Sequence, residues 1–296
     1  MHVGLKVING YKCFMYKIIS SLNNDFEKVI HIDLYLLYMC NLKCPYCFTR
    51  YEHSQEWNNF LSKDKLQILI EKIKNIKGNL HINLLGGEPS IYPFLKLALT
   101  KLYALKNVQL IKIYTNGLKN IKHFKNDKVK LVYTTHRVSP FKTNYKEILT
   151  KIEKDDLLTI MHENNAESLY LYNMFKEKCN TIELNFIHIQ NTQNFIGIDS
   201  VNDDLEFLIP HINFNKKIIN HKQYINISTK NLLCDANYFV IKMNGDIDMV
   251  CFENVGNVYK KYLFSKHLIP CQHNHCVDCC FLEQSKYECK DNFVKK

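Results

Sequence analysis

No run of about 18 consecutive apolar residues occurs anywhere in the 296, so nothing reads as a membrane-spanning helix. Residues 1–17 have Lys6, Lys12 and Lys17 interrupting their apolar stretches, and no small-residue cleavage site follows. A secretory signal is therefore not expected, and a cytoplasmic location is. No internal repeat is evident, which argues against solenoids and propellers. Glycine is scarce: nine in the chain, against a usual share of about 7%, so each one is expected to answer a backbone need. Cysteine, by contrast, occurs twelve times. In a reducing compartment that number does not suit disulfides and favours metal binding. The net charge of +10 is spread along the chain rather than gathered in one block. It leaves a nucleic-acid partner open without favouring one.

Apolar, β-branched runs at residues 30–38, 80–85, 108–114, 129–134, 157–162 and 182–189 have the length of buried parallel strands. Helical patterns fall between them. Leu66, Leu69, Ile70, Ile73 and Ile76 share one helical face, with Ser62 placed as N-cap and Gly78 just past the end. Residues 93–106, 145–152 and 166–178 read as further helices, and 119–124 as a short one. Six strands and five helices describe an α/β repeat, either a partial barrel or an open doubly wound sheet. In both, ligands gather at the C-terminal ends of the strands. There the chain places its least ordinary segments: Cys40, Cys44 and Cys47 after the first strand, Gly86-Gly87-Glu88-Pro89 after the second, and Thr115-Asn116-Gly117 after the third.

Cys40, Cys44 and Cys47 offer three thiolates from one short loop. Three thiolates hold three corners of a cubane iron–sulfur cluster, where the usual all-protein site supplies four. The remaining iron is then open to a ligand, by the logic of the open position in catalytic zinc sites.

These segments resemble the radical S-adenosylmethionine (SAM) superfamily. Cys40-Asn41-Leu42-Lys43-Cys44-Pro45-Tyr46-Cys47 matches its CxxxCxxC loop with an aromatic before the last cysteine. Gly86-Gly87-Glu88-Pro89 matches its GGEP motif, and Thr115-Asn116-Gly117 a tripeptide common after its third strand. The resemblance implies a partial (β/α)6 TIM-like barrel over residues 28–215, after an N-terminal extension over 1–27. It implies that Cys40, Cys44 and Cys47 ligate a [4Fe-4S] cluster whose fourth iron is chelated by SAM. It also implies that backbone near Tyr46 meets the adenine and that the Gly86–Glu88 turn meets the SAM amino group. One-electron reduction, from a donor such as flavodoxin or ferredoxin, would cleave SAM to a 5′-deoxyadenosyl radical that abstracts a substrate hydrogen. Residues 132–136 resemble a strand-end segment that lies near SAM in several relatives, with Thr134 or Thr135 in place of a serine; Thr135 is taken as the contact. His136 and His162 are placed near the substrate space without an acid–base role.

After residue 190 the chain turns polar and asparagine-rich, with one short helix expected over 201–212, and then cysteine-dense. Cys234, Gly245-Asp246, Cys251, Gly256-Asn257 and Cys276-Val277-Asp278-Cys279 resemble the SPASM or twitch auxiliary-cluster extension, giving a small cysteine-rich C-terminal domain over 216–296. The resemblance implies a second [4Fe-4S] cluster on Cys234, Cys251, Cys276 and Cys279. The spacings of Cys271, Cys280 and Cys289 depart from that pattern and leave a further cluster open. On the residues alone, a CxxC with two more thiolates also suits tetrahedral zinc. Cys13 and Cys179 stand apart and read as small apolar residues. The leading expectation is thus a radical SAM enzyme acting on a peptide, a sugar or another small molecule. RNA modification and a non-catalytic zinc- or cluster-binding interaction protein are the alternatives.

Overall fold

The structure, a computed structural model, describes residues 6–8, 11–13, 29–44, 47, 49–50, 53–139, 142–162, 165–186, 232–235, 238–249, 254–260, 268–270 and 293–295. In chain order, β1 (Lys6–Ile8) and β2 (Tyr11–Cys13) form an antiparallel pair. The strands β3 (Ile30–Leu37), β4 (Leu80–Gly86), β5 (Val108–Thr115) and β6 (Val129–Thr135) follow. A small hairpin of β7 (Arg137–Ser139) and β8 (Lys142–Thr143) precedes β9 (Leu157–His162) and β10 (Thr181–Phe186). The six expected apolar runs are thus β3, β4, β5, β6, β9 and β10.

These six strands are all parallel and lie side by side in sequence order. A doubly wound sheet reverses its direction of winding at a switch point, and this one does not. Right-handed crossovers that never reverse place every connecting helix on the same face. The topology is therefore that of a partial barrel, the alternative that periodicity alone left open. Beyond β3 the sheet continues through β12 (Tyr238–Ile241), parallel to β3, then β13 (Asp246–Met249) and β14 (Asn254–Asn257), both antiparallel. Part of the cysteine-rich stretch is thus continuous with the main sheet, and β3 has a partner on each side. A separate three-stranded sheet is built from β11 (Leu232–Asp235), β15 (Leu268–Pro270) and β16 (Phe293–Lys295). The helix expected over 201–212 lies outside the described residues.

The helices form for local reasons. In α1 (Lys63–Lys74), Ser62 Oγ caps the first turn by accepting from the Lys65 N–H at 3.4 Å, and Leu66, Leu69, Ile70 and Ile73 are buried. The next helix, α2 (Leu95–Tyr103), buries Leu95, Ala98, Leu99 and Leu102. The short α3 (Tyr145–Leu149) and the longer α4 (Asn165–Phe175) complete the set. Over 119–124 only a single tight turn at Lys122–Phe124 forms; Ile121 just before it is buried, and none of the turn's own three residues is. Ile32, Leu34 and Leu36 of β3, Ile82 and Leu84 of β4, and Ile111 and Ile113 of β5 are buried in the same core as the α1 and α2 residues. Each such side chain contributes roughly 1.5–3 kcal/mol. The helices of the described residues include none long and apolar enough to cross a membrane.

Candidate active site at the strand ends

Parallel strands end on one edge, and there the three motif loops meet. The segment entering the cysteine loop is fastened first. Past the ends of β3 and β4 the backbones stay paired: Gly87 N–H donates to Leu37 O at 2.9 Å and Glu88 N–H to Met39 O at 2.8 Å. The glycines are required by this approach. A Cβ on Gly86, whose φ is +126°, would lie 2.0 Å from Leu37 O, and one on Gly87 would lie 1.8 Å from Met39 O. The pair thus makes room for the strand leading to Cys40.

Glu88 then joins the second loop to the third. Its carboxylate is buried, with Oε1 accepting from the Ser90 N–H at 3.0 Å and the Thr115 hydroxyl at 2.8 Å. Oε2 accepts from the Asn116 N–H at 2.7 Å. Burial pushes its pKa up, and those donors oppose the shift. Asn116, also buried, joins the third loop to the first: its Nδ2 donates to Asn41 Oδ1 at 2.7 Å and lies 3.9 Å from Cys40 Sγ. Asn144 ties in the fourth strand end. Its Nδ2 donates to Asn116 O at 2.7 Å and Thr134 O at 2.9 Å, and its Oδ1 accepts from the His136 N–H.

The cysteine loop carries its thiols inward. Cys44 is buried and Cys40 and Cys47 are half-buried, none of the three in a disulfide. Cys40 Sγ accepts from the Leu42 N–H at 3.3 Å, and Cys47 Sγ from the Arg50 N–H at 3.4 Å. The Arg50 guanidinium reaches back to Lys43 O at 3.4 Å. Burial pushes the Cys40 thiol up to about 12, and the negative charges of Glu88, Cys44 and Cys47 add to that, against the Leu42 N–H. Ionising these thiols together is unfavourable without a cation among them, and metal ligation supplies one while releasing their protons. Among the described residues, no three His, Cys, Asp or Glu side chains group to hold a single metal ion. One ion needs all its thiolates within about 2.3 Å of one point, whereas a cubane takes each cysteine at a separate iron. Three cysteines on one loop are the kind of donor set that such a cluster would use. Glu88 is the buried carboxylate of these loops, the group whose charge would complement an ammonium.

Other expected site residues fall differently. Thr135 is buried and its Oγ1 accepts from the Met161 N–H of β9 at 3.1 Å. By strand alternation it lies on the face of Leu131 and Tyr133, while the more exposed Thr134 lies on the opposite face. Pro89 is buried at the start of a tight turn. Burial lowers His136 to about 4. Tyr46 lies outside the described residues, as does the His162 side chain. Cys179 is buried, its thiol donating to Phe175 O at 3.8 Å, the packing role expected of it. The backbone of Cys234 sits in β11 opposite Ile269 and Phe293. Cys251, Cys271, Cys276, Cys279, Cys280 and Cys289 lie outside the described residues. The Gly-Asp and Gly-Asn pairs of the same region meet: Asn257 Nδ2 donates to Asp246 Oδ1 at 2.9 Å, closing the turn between β12 and β13. A Cβ on Gly245 would lie 2.3 Å from the Tyr259 ring. The sequence, in which asparagine is common, does not single out Asn41 or Asn144; a place just before a helical pattern is the one signal for Asn144.

Comparison with known proteins bears on the fold and on one segment of the chain. An 82-residue stretch is 32% identical to 7-carboxy-7-deazaguanine synthase of Haemophilus influenzae, taking in 28% of this chain and 34% of that enzyme. The chain thus matches about a third of the length of this curated relative. Streptococcus suis SuiB bound to S-adenosylmethionine shares the fold with a TM-score of 0.60 at 14% identity, over 87% of this chain and 72% of that one. SuiB bound to the precursor peptide SuiA gives 0.57 at 16%, over 80% and 64%. The enzyme anSMEcpe with bound AdoMet and Cp18Cys peptide gives 0.56 at 14%, over 79% of each chain. Residues 34–162, from within β3 through the cysteine loop to the end of β9, match the model of the Radical SAM superfamily.

Proposed function

We propose that this protein is a radical SAM enzyme whose Cys40, Cys44 and Cys47 ligate a [4Fe-4S] cluster with one iron open to SAM. The observation that carries the reading is the fastening of three strand-end loops to one another beside Cys40, through Glu88 and Asn116. When bound, the cluster and SAM supply one-electron cleavage to methionine and a 5′-deoxyadenosyl radical that abstracts a substrate hydrogen.

The chain's own residues hold that chemistry in place. Glu88 keeps a buried negative charge under the turn, which favours an ammonium such as that of SAM. Asn116 fixes the cysteine loop relative to that charge, and Asn144 fixes Asn116. The aromatic body of Tyr46 is assigned to the adenine side, and Thr134, facing away from the helix-covered core, is a better hydroxyl for SAM than Thr135. The substrate is a peptide, a sugar or another small molecule, and flavodoxin or ferredoxin is the proposed source of electrons. A second [4Fe-4S] cluster on Cys234, Cys251, Cys276 and Cys279 is proposed for the C-terminal region, in which 216–296 would act as an auxiliary-cluster unit beside a 28–215 core.

Anaerobically purified protein should be brown, contain iron and sulfide in roughly equal amounts, and form 5′-deoxyadenosine from SAM under reduction. Cys44→Ala should lose that product. Colourless protein holding zinc alone would sink the reading.

A further inference from the structure

Over β3, β4 and β5, the face of the parallel sheet opposite the helices carries polar side chains. Interiors of (β/α) barrels are ordinarily filled by branched apolar side chains. Here β3 presents His31 and Asp33, β4 presents His81 and Asn83, and β5 presents Lys112, all partly exposed except buried Asn83. Strand register sets Asp33 beside Asn83 and Asn83 beside Lys112, so three polar residues form one level across three strands. Asn83 Nδ2 donates to Asp33 Oδ1 at 2.7 Å. One step lower, the His31 and His81 rings meet edge to face at 5.1 Å. The Lys112 charge acts on both imidazoles, which places its ammonium on their side of the sheet.

The row is polarised, with an acid on β3, an amide on β4 and an ammonium on β5. Neighbouring strands stand about 4.8 Å apart, so the two charges originate roughly 10 Å apart at the backbone and their side chains shorten the gap. Three residues of strand separate Asn83 from Gly86 and Lys112 from Thr115, which puts the row about 10 Å below the strand-end loops. Tyr35 and Tyr114 lie one side-chain step above it, on the same face.

We propose that Asp33, Asn83 and Lys112 form a recognition site for a dipolar substrate, small molecule or peptide side chain. Its carboxylate lies toward Lys112 and its ammonium toward Asp33. This names the substrate class of the enzyme proposed above and rests on that reading. A molecule anchored in the row and extending upward past Tyr35 and Tyr114 brings its far carbon to the level of the strand-end loops.

The test uses the anaerobically reconstituted full chain and isothermal titration with β-alanine, γ-aminobutyrate and ε-aminohexanoate, with butyrate and butylamine as single-charge controls. At least one zwitterion should bind about tenfold or more tighter than either control, since each charge-assisted contact adds to the other. Lys112→Gln should reduce that zwitterion to the affinity of butylamine, Asp33→Asn to that of butyrate, and Lys112→Arg should retain binding. Exposed Lys101→Gln on α2 should behave as wild type, and unfolding curves check that each variant is folded. Equal binding of zwitterions and controls, no binding of any zwitterion, or undiminished binding by folded Lys112→Gln overturns the proposal. SAM binding to the same wild-type sample separates the two levels. SAM bound without any zwitterion defeats this inference alone, and absent SAM binding defeats the reading beneath it.

Discussion

The Glu88 carboxylate accepts the Thr115 hydroxyl at 2.8 Å, across 27 residues of chain, in a position closed to solvent. Through this contact the loops after β4 and β5 share one buried charge. Removing one partner of such a contact leaves the other desolvated and unpaired.

Glu88→Gln is therefore expected to reduce more than SAM affinity. A glutamine places an NH2 among the Ser90, Thr115 and Asn116 donors, and the free-energy cost to folding should be about 1–3 kcal/mol. Urea unfolding of the cluster-free protein measures it, and SAM titration of the reconstituted protein should show weakened binding. An unchanged urea midpoint would mean that the carboxylate does not join the loops.

Gly87→Ala should be more damaging than its size implies. Its Cβ would fall 1.8 Å from Met39 O, and backbone, not a flexible side chain, must move. A cost of about 1–3 kcal/mol is expected from forced overpacking, together with poor cluster incorporation, read as iron per chain. Iron content and unfolding midpoint both equal to wild type would contradict the paired course of β3 and β4 past their ends.

Asn116→Ala removes the amide joining the third loop to Asn41. Folding stability should fall by about 1 kcal/mol. Iron incorporation should fall as well, because the Cys40 side of the loop loses its tether. Wild-type iron content would make Asn116 a local turn residue only.

Two imidazoles give the protein a pH signature. Burial lowers His136 to about 4, and burial, with the charges of His81 and Lys112, lowers His31 from 6.5 to about 4. In that window the unfolded chain binds more protons than the folded one, so this contribution is complete above 6.5 and lost as pH falls toward 4. Urea midpoints of the cluster-free protein should drop across the window, and His31→Gln with His136→Gln should flatten the slope. An equal slope in the double variant would assign the effect to other groups.

Much of the fold is legible in the sequence because its signals are local. Ser62, the Leu66–Ile73 spacing and Gly78 mark α1, and β-branched runs mark the six parallel strands. Strand order is non-local, so periodicity does not divide barrel from doubly wound sheet, whereas the sequential order of the six parallel strands does. The site divides the same way. Spacing picks out Cys40, Cys44 and Cys47 and the two loops beside them. It does not show that Gly86 and Gly87 yield space to Leu37 and Met39, since that depends on the pairing of β3 with β4. Nor does it show that Glu88 faces Thr115 and Asn116. Thr134 and Thr135 differ by one residue, and in a strand one residue exchanges the two faces. The polar row of Asp33, Asn83 and Lys112 sits inside runs that read as apolar strands, and only register brings its members to one level.

The account depends most on one iron that lacks a protein thiolate and accepts SAM. The direct measurement is the electron paramagnetic resonance spectrum of the reduced, reconstituted protein, recorded with and without SAM, beside a variant with Cys40, Cys44 and Cys47 all changed to Ala. The account predicts a [4Fe-4S] signal that changes when SAM is added, with the SAM-dependent change absent from the triple variant. A wild-type spectrum indifferent to SAM, or a SAM-dependent change that survives in the triple variant, would contradict it.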